Sequence, residues 1–118
     1  MYNCFMYKND WLKGSLRTIL LKLLSERPQM YGYEITQMVR LRSNHSIQIT
    51  EGALYPALHK LESQGMLISE KVKIGKRVRK YYSLTSEGKA KAQENIEDYF
   101  SFVRTMLLLL SNNGTVAI

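Results

Sequence analysis

Apolar side chains set out the architecture of this chain before any other property is considered. Leu16, Ile19, Leu20, Leu23 and Leu24 recur at i, i+3, i+4, i+7 and i+8, the stripe of a helix that Asp10 is placed to cap and that ends at Ser25, ahead of Pro28. Met30-Tyr31-Gly32-Tyr33 opens a second helix, with Ile35, Met38 and Val39 inward and Gln37, Arg40 and Arg42 outward, closing at Ser43-Asn44-His45-Ser46. Ile47 and Ile49 then alternate with polar neighbours over a stretch too short for an independent strand, so they are expected to peg the connection into the core. A third helix follows over 50–64. On a wheel of 100° per residue Leu54, Leu58 and Leu61 fall on one side with Ala57 at the margin, and Gly52, Tyr55, Pro56, His59 and Ser63 fall on the other. Thr50 suits the N-cap, Glu51 the positive end of the helix dipole, and Gly65 the left-handed residue that closes the helix. Pro56 sits past the first turn, where it deletes a backbone hydrogen bond. Either the regular helix starts late or it runs through Pro56 with a local kink.

After Gly65 the period falls to about two. Residues Met66 to Ile74 and Arg77 to Leu84 are rich in β-branched and aromatic side chains around Gly75-Lys76, which predicts two strands and a tight tip. Thr85 and Glu87 begin a last helix in which Ala92, Ile96, Tyr99, Val103, Met106 and Leu110 form a heptad seam, widened by Phe100, Phe102, Leu107 and Leu108. Three helices already serve the core, so so broad an apolar surface calls for a second copy of the chain, and a homodimer is expected. Trp11 extends the first helix beyond the core and either touches the second chain as well or folds back on its own domain. The aromatic excess at Trp11, Tyr99, Phe100 and Phe102 admits a hydrophobic or aromatic small-molecule effector at the dimer interface; the rings filling that space themselves is the competing reading. The divisions expected are a flexible arm over 1–10, one folded domain over 11–84, a dimerisation helix over 85–111 and a tail over 112–118.

Charge changes what the outward faces are for. The 118 residues carry a net charge of +7, which points to a polyanion such as nucleic acid. Lys71, Lys73, Lys76, Arg77, Arg79 and Lys80 crowd the hairpin, more positive charge than a strand edge needs against aggregation. The outer face of the third helix is no ordinary layer of Lys and Glu. Its small residues, aromatic hydroxyl and imidazole, with Lys60 at the edge, suit entry into a groove. Candidate contacts to double-stranded DNA are therefore Thr50, Glu51, Gly52, Tyr55, His59 and Lys60 from the third helix, and Lys73, Lys76, Arg77 and Arg79 from the hairpin. Tyr31, Tyr33 and Gln37 near the start of the second helix are candidates for phosphate contact, or else Tyr rings packed on the core with a wet hydroxyl.

Other chemistries find little footing. His45 and His59 lack Cys or carboxylate companions at metal-ligand spacing, no glycine-rich phosphate loop is present, and no nucleophile has an evident base. Neither an enzyme nor a metal or cofactor is expected. The single Cys4 forms no disulfide within the chain, the start MYNCFMYKND does not read as a secretory leader, and the apolar run Met106 to Leu110 is far below the ~20 residues of a membrane span. A cytoplasmic protein with no membrane partner is expected.

Three short helices followed by a basic hairpin make a mainly α, winged helix-turn-helix chain with a long C-terminal dimerisation helix. Four strings are more specific than that: Leu12-Lys13-Gly14-Ser15-Leu16-Arg17; Met30-Tyr31-Gly32-Tyr33-Glu34-Ile35; Glu51-Gly52-Ala53-Leu54-Tyr55-Pro56-Ala57-Leu58-His59-Lys60-Leu61-Glu62; and Arg79-Lys80-Tyr81-Tyr82-Ser83-Leu84-Thr85-Ser86-Glu87-Gly88. In this order, over about residues 12 to 92, they closely resemble the PadR family of transcriptional regulators, and the single last helix resembles its short subgroup. The resemblance implies a dimeric, repressor-like protein on a palindromic operator, with the third helix in the major groove, the wing on the minor groove or backbone, and the last helix supporting dimerisation. Some members sense phenolic acids or hydrophobic drugs. The Trp that short multidrug-sensing members carry in the last helix is absent here, the only Trp being Trp11.

Overall fold

The computed structural model describes residues 9–112, in seven elements. Helix α1 (Asn9–Glu26) turns Leu16, Leu20, Leu21, Leu23 and Leu24 into the core. It already includes Asn9, so Asp10 lies within the helix and is not its cap, and the last two residues assigned to an N-terminal arm are helical. Once a helix is nucleated each added residue brings a hydrogen bond at small cost, and no breaker stands at these positions. The rest of that arm, residues 1–8, and most of the expected tail, residues 113–118, lie outside the described residues.

Met30 and Tyr31 do not open a helix. They form a two-residue strand, β1 (Met30–Tyr31), and α2 (Gly32–Arg42) starts behind it. Two residues have no period to read, and the strand exists because the edge of a distant hairpin is available to pair with. The Glu34 carboxylate accepts the Tyr31 backbone N–H at 3.1 Å and anchors the first turn of α2. At the other end Asn44 and His45 adopt φ of 53° and 64°, a left-handed pair that reverses the chain. The Ser43 Oγ accepts the Ile47 N–H at 3.0 Å, and Ile49 is buried with Ile47 packed beside it, so the connector is pegged as its alternation indicates. A clasp closes this side, where Arg42 and Lys22 both pair with Glu26, and the Arg42 hydrogen bond holds the Glu26 carboxyl below the usual carboxylate range.

Helix α3 (Glu51–Ser63) runs through Pro56 without a break, which decides between the two readings of that residue. The Thr50 Oγ1 accepts the Ala53 N–H at 3.3 Å, and Gly65 at φ +80° turns the chain out of the helix. Strands β2 (Leu67–Ile74) and β3 (Arg77–Leu84) pair antiparallel from Leu67↔Leu84 to Ile74↔Arg77 across the loop Gly75-Lys76, and β1 adds to the far side of β3 through Met30↔Tyr82 and Tyr31↔Tyr81. The core lies between the helices and the face of this sheet that carries Met30, Leu67, Tyr82 and Leu84. Tyr82 is fully buried, its hydroxyl has no hydrogen-bond partner among the described residues, and burial raises its pKa.

Helix α4 (Ser86–Leu110) leaves the sheet through a tight joint. The Thr85 Oγ1 accepts the Gly88 N–H at 2.9 Å and donates to the Gly65 carbonyl at 2.7 Å, stitching the start of α4 to the end of α3. The seam read along α4 is divided by the structure. Ala92 is buried in the core of its own chain, which corrects its assignment to a dimer contact, and Ile96 and Tyr99 are half-buried. The Tyr99 hydroxyl and Ser15 Oγ on α1 share a hydrogen bond of 2.5 Å. A heptad pattern cannot distinguish a partner helix from the protein's own α1, because both bury the same stripe. Beyond Tyr99, Met106 is half-buried, while Val103 at 36%, Leu107 at 39% and Leu110 at 75% are exposed with no described element over them.

The joint at Gly88 yields a test. A Cβ there would lie 2.1 Å from the Met66 carbonyl oxygen, backbone that cannot step aside cheaply. Gly88→Ala should therefore destabilise the fold by about 3 kcal/mol, measured by urea unfolding, although alanine has the higher helix propensity. An unchanged or higher midpoint would contradict the packing described.

Candidate nucleic-acid interface

Burial of Leu54, Leu58 and Leu61 decides which side of α3 meets solvent. Thr50, Glu51, Gly52, Pro56, His59, Lys60 and Ser63 are exposed on it, all read as outward-facing from the sequence. Pro56 brings no N–H to the Gly52 carbonyl, so this acceptor lacks its regular helical donor on an exposed, side-chain-free patch. Tyr55 departs from that group. It is half-buried and packs against the core, with its hydroxyl directed at Gly32 at the first residue of α2. The wheel placed it outward, but its angle lies at the flank of the leucine stripe, and there the approach of α2 draws the ring inward.

Two basic residues of the first motif, not among the candidate DNA contacts, flank this face. Lys13 and Arg17 of α1 line a groove of about 500 Å³ with Thr50, Gly52, Pro56 and Lys60. Arg17 is held there by donating to Gln64 Oε1 at 2.6 Å and to the Met66 sulfur at 3.3 Å. Their i, i+4 spacing is visible in the sequence; that α1 lies along α3, from Thr50 to Gln64, is not.

The wing divides its cations between two faces. Along β3, Arg77, Arg79 and Tyr81 alternate with Val78, Lys80 and Tyr82, and since Tyr82 is core, the arginines occupy the opposite face. In the β2 register Lys71 pairs with Lys80 and Lys73 with Val78, so these lysines share the face turned towards α3. Glu62 of α3 meets that face. Its Oε2 accepts from Ser69 Oγ at 2.6 Å, and Lys80 Nζ lies 4.0 Å from Oε1, which ties helix and wing together. The four hairpin candidates are thus not one cluster: Lys73 is separated from Arg77 and Arg79, and Lys76 occupies the tip.

Arg77 and Arg79 instead join Tyr31 and Tyr33, with Val78, around a notch of about 560 Å³. The Arg79 guanidinium carbon sits 4.3 Å from the Tyr31 ring centre, and the Tyr81 ring meets Tyr31 edge-on at 5.3 Å. Tyr33 is exposed, stacked beside Tyr31 at 6.5 Å and 24°. The Tyr81 side chain raises the pKa of Arg79 further above its ordinary value, so the group stays charged. Gln37, one turn further along α2, is half-buried and outside the notch.

Within a single chain, two of the four aromatic residues proposed to enclose an effector at the dimer interface line a common groove. Tyr99 and Phe100 line an apolar groove of about 360 Å³ with Ile19, Leu23, Val39 and Ile96, whereas Phe102 contacts Tyr99 at 6.1 Å and Trp11, 61% exposed, lies outside the lining. Among the described residues no three His, Cys, Asp or Glu side chains gather as metal ligands, and no helix is long and apolar enough to cross a membrane.

Comparison with known proteins agrees on the kind of molecule. The sequence profile of the transcriptional regulator PadR-like family matches residues 20–94. An uncharacterised protein of Lysinibacillus sphaericus is 37% identical over 97 residues, covering 80% of this chain and 86% of its own. The structure superposes on a transcriptional regulator from Clostridium thermocellum with a TM-score of 0.79 at 28% identity, covering 90% of this chain and all of that one. A PadR family transcriptional regulator from Eggerthella lenta gives a TM-score of 0.72 at 34% identity, over 86% of this chain and 88% of the other.

The contact between Tyr55 and α2 is open to a double-mutant cycle. A Cβ at residue 32 would fall 2.3 Å from the Tyr55 hydroxyl oxygen, so Gly32→Ala should cost about 2 kcal/mol of stability. With Tyr55→Phe in the background the hydroxyl is gone and the penalty should shrink by about 1 kcal/mol. Strictly additive losses would place the Tyr55 ring elsewhere.

Proposed function

Because the chain belongs to the PadR-like family of transcriptional regulators, we propose that it binds a palindromic DNA operator as a cytoplasmic homodimer and represses transcription, with α3 in the major groove and the wing on the adjacent minor groove or backbone. The observation that carries this reading is the exposed face of α3, with its open backbone patch at Gly52 and cations on both sides, Lys13 and Arg17 on α1 and the wing beyond. A helix seated on three buried leucines presents that face rigidly, as base readout requires. His59 and Lys60 supply the polar groups; Thr50 and Glu51 lie at the N-terminal end, where helices meet phosphates.

Dimerisation follows from the end of α4. Phe100, Val103, Leu107 and Leu108 form an exposed apolar surface, and a second copy of the same helix is its natural cover. A partner helix, rather than an effector, is the occupant assigned to this surface. Two-fold symmetry then sets the recognition helices about one turn of DNA apart.

Selection from a random duplex pool should return an inverted repeat. His59→Ala should cost on the order of 1–3 kcal/mol on the selected site and little on random duplex, whereas Arg77→Ala should weaken both alike. Equal loss on the two duplexes from His59→Ala would remove α3 from the role of reading helix. Light scattering at micromolar concentration should show about twice the mass of one chain, and Val103→Asp should shift it towards monomer by burying an unpaired carboxylate. A monomeric wild type that binds DNA tightly would end the two-fold model.

A further inference from the structure

We propose that the notch at the root of the wing is a seat for one DNA backbone phosphate, in which Tyr31 acts through its ring as a positioning residue for Arg79. The proposal rests on the DNA-binding reading and adds to it the job of each side chain.

Exposed arginines on a hairpin ordinarily sample many rotamers, and fixing one on a phosphate costs conformational entropy. Arg79 does not begin free. Its guanidinium is stacked at 4.3 Å on the Tyr31 ring, and that ring is itself held edge-on by Tyr81 at 5.3 Å through the Tyr31↔Tyr81 pairing of β1 with β3. Stacking uses the flat face of a guanidinium, the Tyr81 side chain takes part of the Arg79 edge, and the remaining N–H groups are left to meet phosphate oxygens. Arg77, two residues on along the same face of β3, lines the same notch and adds a second positive charge. Tyr33, exposed and stacked beside Tyr31, brings a hydroxyl to its rim. The ligand that fits two cations and a hydroxyl on an open, stacked shelf is a phosphodiester. The strand β1 is central to this arrangement, since without it Tyr31 would not reach the wing.

The roles separate experimentally in the full chain titrated with a random-sequence DNA duplex over a range of salt concentrations. Arg79→Ala removes a phosphate contact and should flatten the plot of log affinity against log salt by about 0.9 per protomer. Tyr31→Leu removes no charge. It should weaken binding by about tenfold at every salt concentration and leave the slope unchanged. Tyr31→Phe keeps the ring and should bind within about twofold of wild type. Arg79→Lys keeps the charge without the planar edge and should behave like Tyr31→Leu. Tyr31→Leu should add nothing to Arg79→Ala, because the residue it positions is already gone. Thermal melts of each variant separate lost binding from lost fold; if Tyr31→Leu unfolds, Tyr31→Phe and Arg79→Lys still decide. The proposal is overturned if Tyr31→Phe is as damaging as a lost contact, if Arg79→Lys binds like wild type, if Arg79→Ala leaves the slope untouched, or if the two losses add. A wild type that binds no duplex would overturn the DNA-binding reading and the phosphate seat together, whereas the failures above leave that reading standing.

Discussion

Everything that faces outward in this protein depends on the seating of α3 by three leucines. Leu54, Leu58 and Leu61 are essentially removed from solvent, and each fully buried leucine contributes roughly 1.5–3 kcal/mol of apolar transfer. That burial fixes the rotation of the helix about its axis, so His59 and Lys60 cannot turn inward without lifting the leucines from the core. The same seating lets the helix carry Pro56. An interior proline, which costs about 3 kcal/mol through its missing N–H and its ring, is tolerable in a helix held by tertiary packing, while it would break an isolated one.

The end of α3 is also where the rest of the chain is anchored. Gly65 turns out of the helix, Met66 leads into the sheet, and Thr85 reaches back to the Gly65 carbonyl as it caps α4. Three elements therefore start or stop within one hydrogen-bonded joint, and Gly88 lets α4 pass close to the Met66 backbone. Glu62 adds a polar tie from the helix to Ser69 and Lys80 at the root of the wing. These contacts hold α3 and the root of the wing in one fixed relation.

Electrostatics are arranged by strand alternation rather than by clustering. A net charge of +7 ensures attraction to a polyanion at long range, but the pleat sends Arg77 and Arg79 to one side of the hairpin and Lys71, Lys73 and Lys80 to the other. Repulsion between neighbouring cations is eased in this way, and the two faces meet different surroundings. The arginine face meets tyrosines, which favour a planar cation, and the lysine face meets Glu62 and the side of α3.

The local features were legible because the forces behind them are local. Helical stripes, the caps at Thr50 and Thr85, the left-handed Gly65, the two-residue hairpin tip and the basic wing each depend on a few adjacent residues, and the order of four motifs was enough to indicate the family and its winged-helix fold. The outward position of His59 and Lys60 could be read for the same reason, since a wheel needs only the leucine spacing. What the structure decided involves residues far apart in the chain. A two-residue strand at Met30–Tyr31 has no period and exists only because β3 offers it an edge; Tyr55 turned inward because α2 approaches through Gly32; Lys13 and Arg17 line the groove beside α3 because α1 packs along that helix. The α4 seam shows the limit most directly, because an apolar stripe states that it must be buried and not by what. Ala92 and Tyr99 are covered by their own chain, Val103, Leu107 and Leu110 are left exposed among the described residues, and only the packed arrangement of α1 against α4 tells the two groups apart.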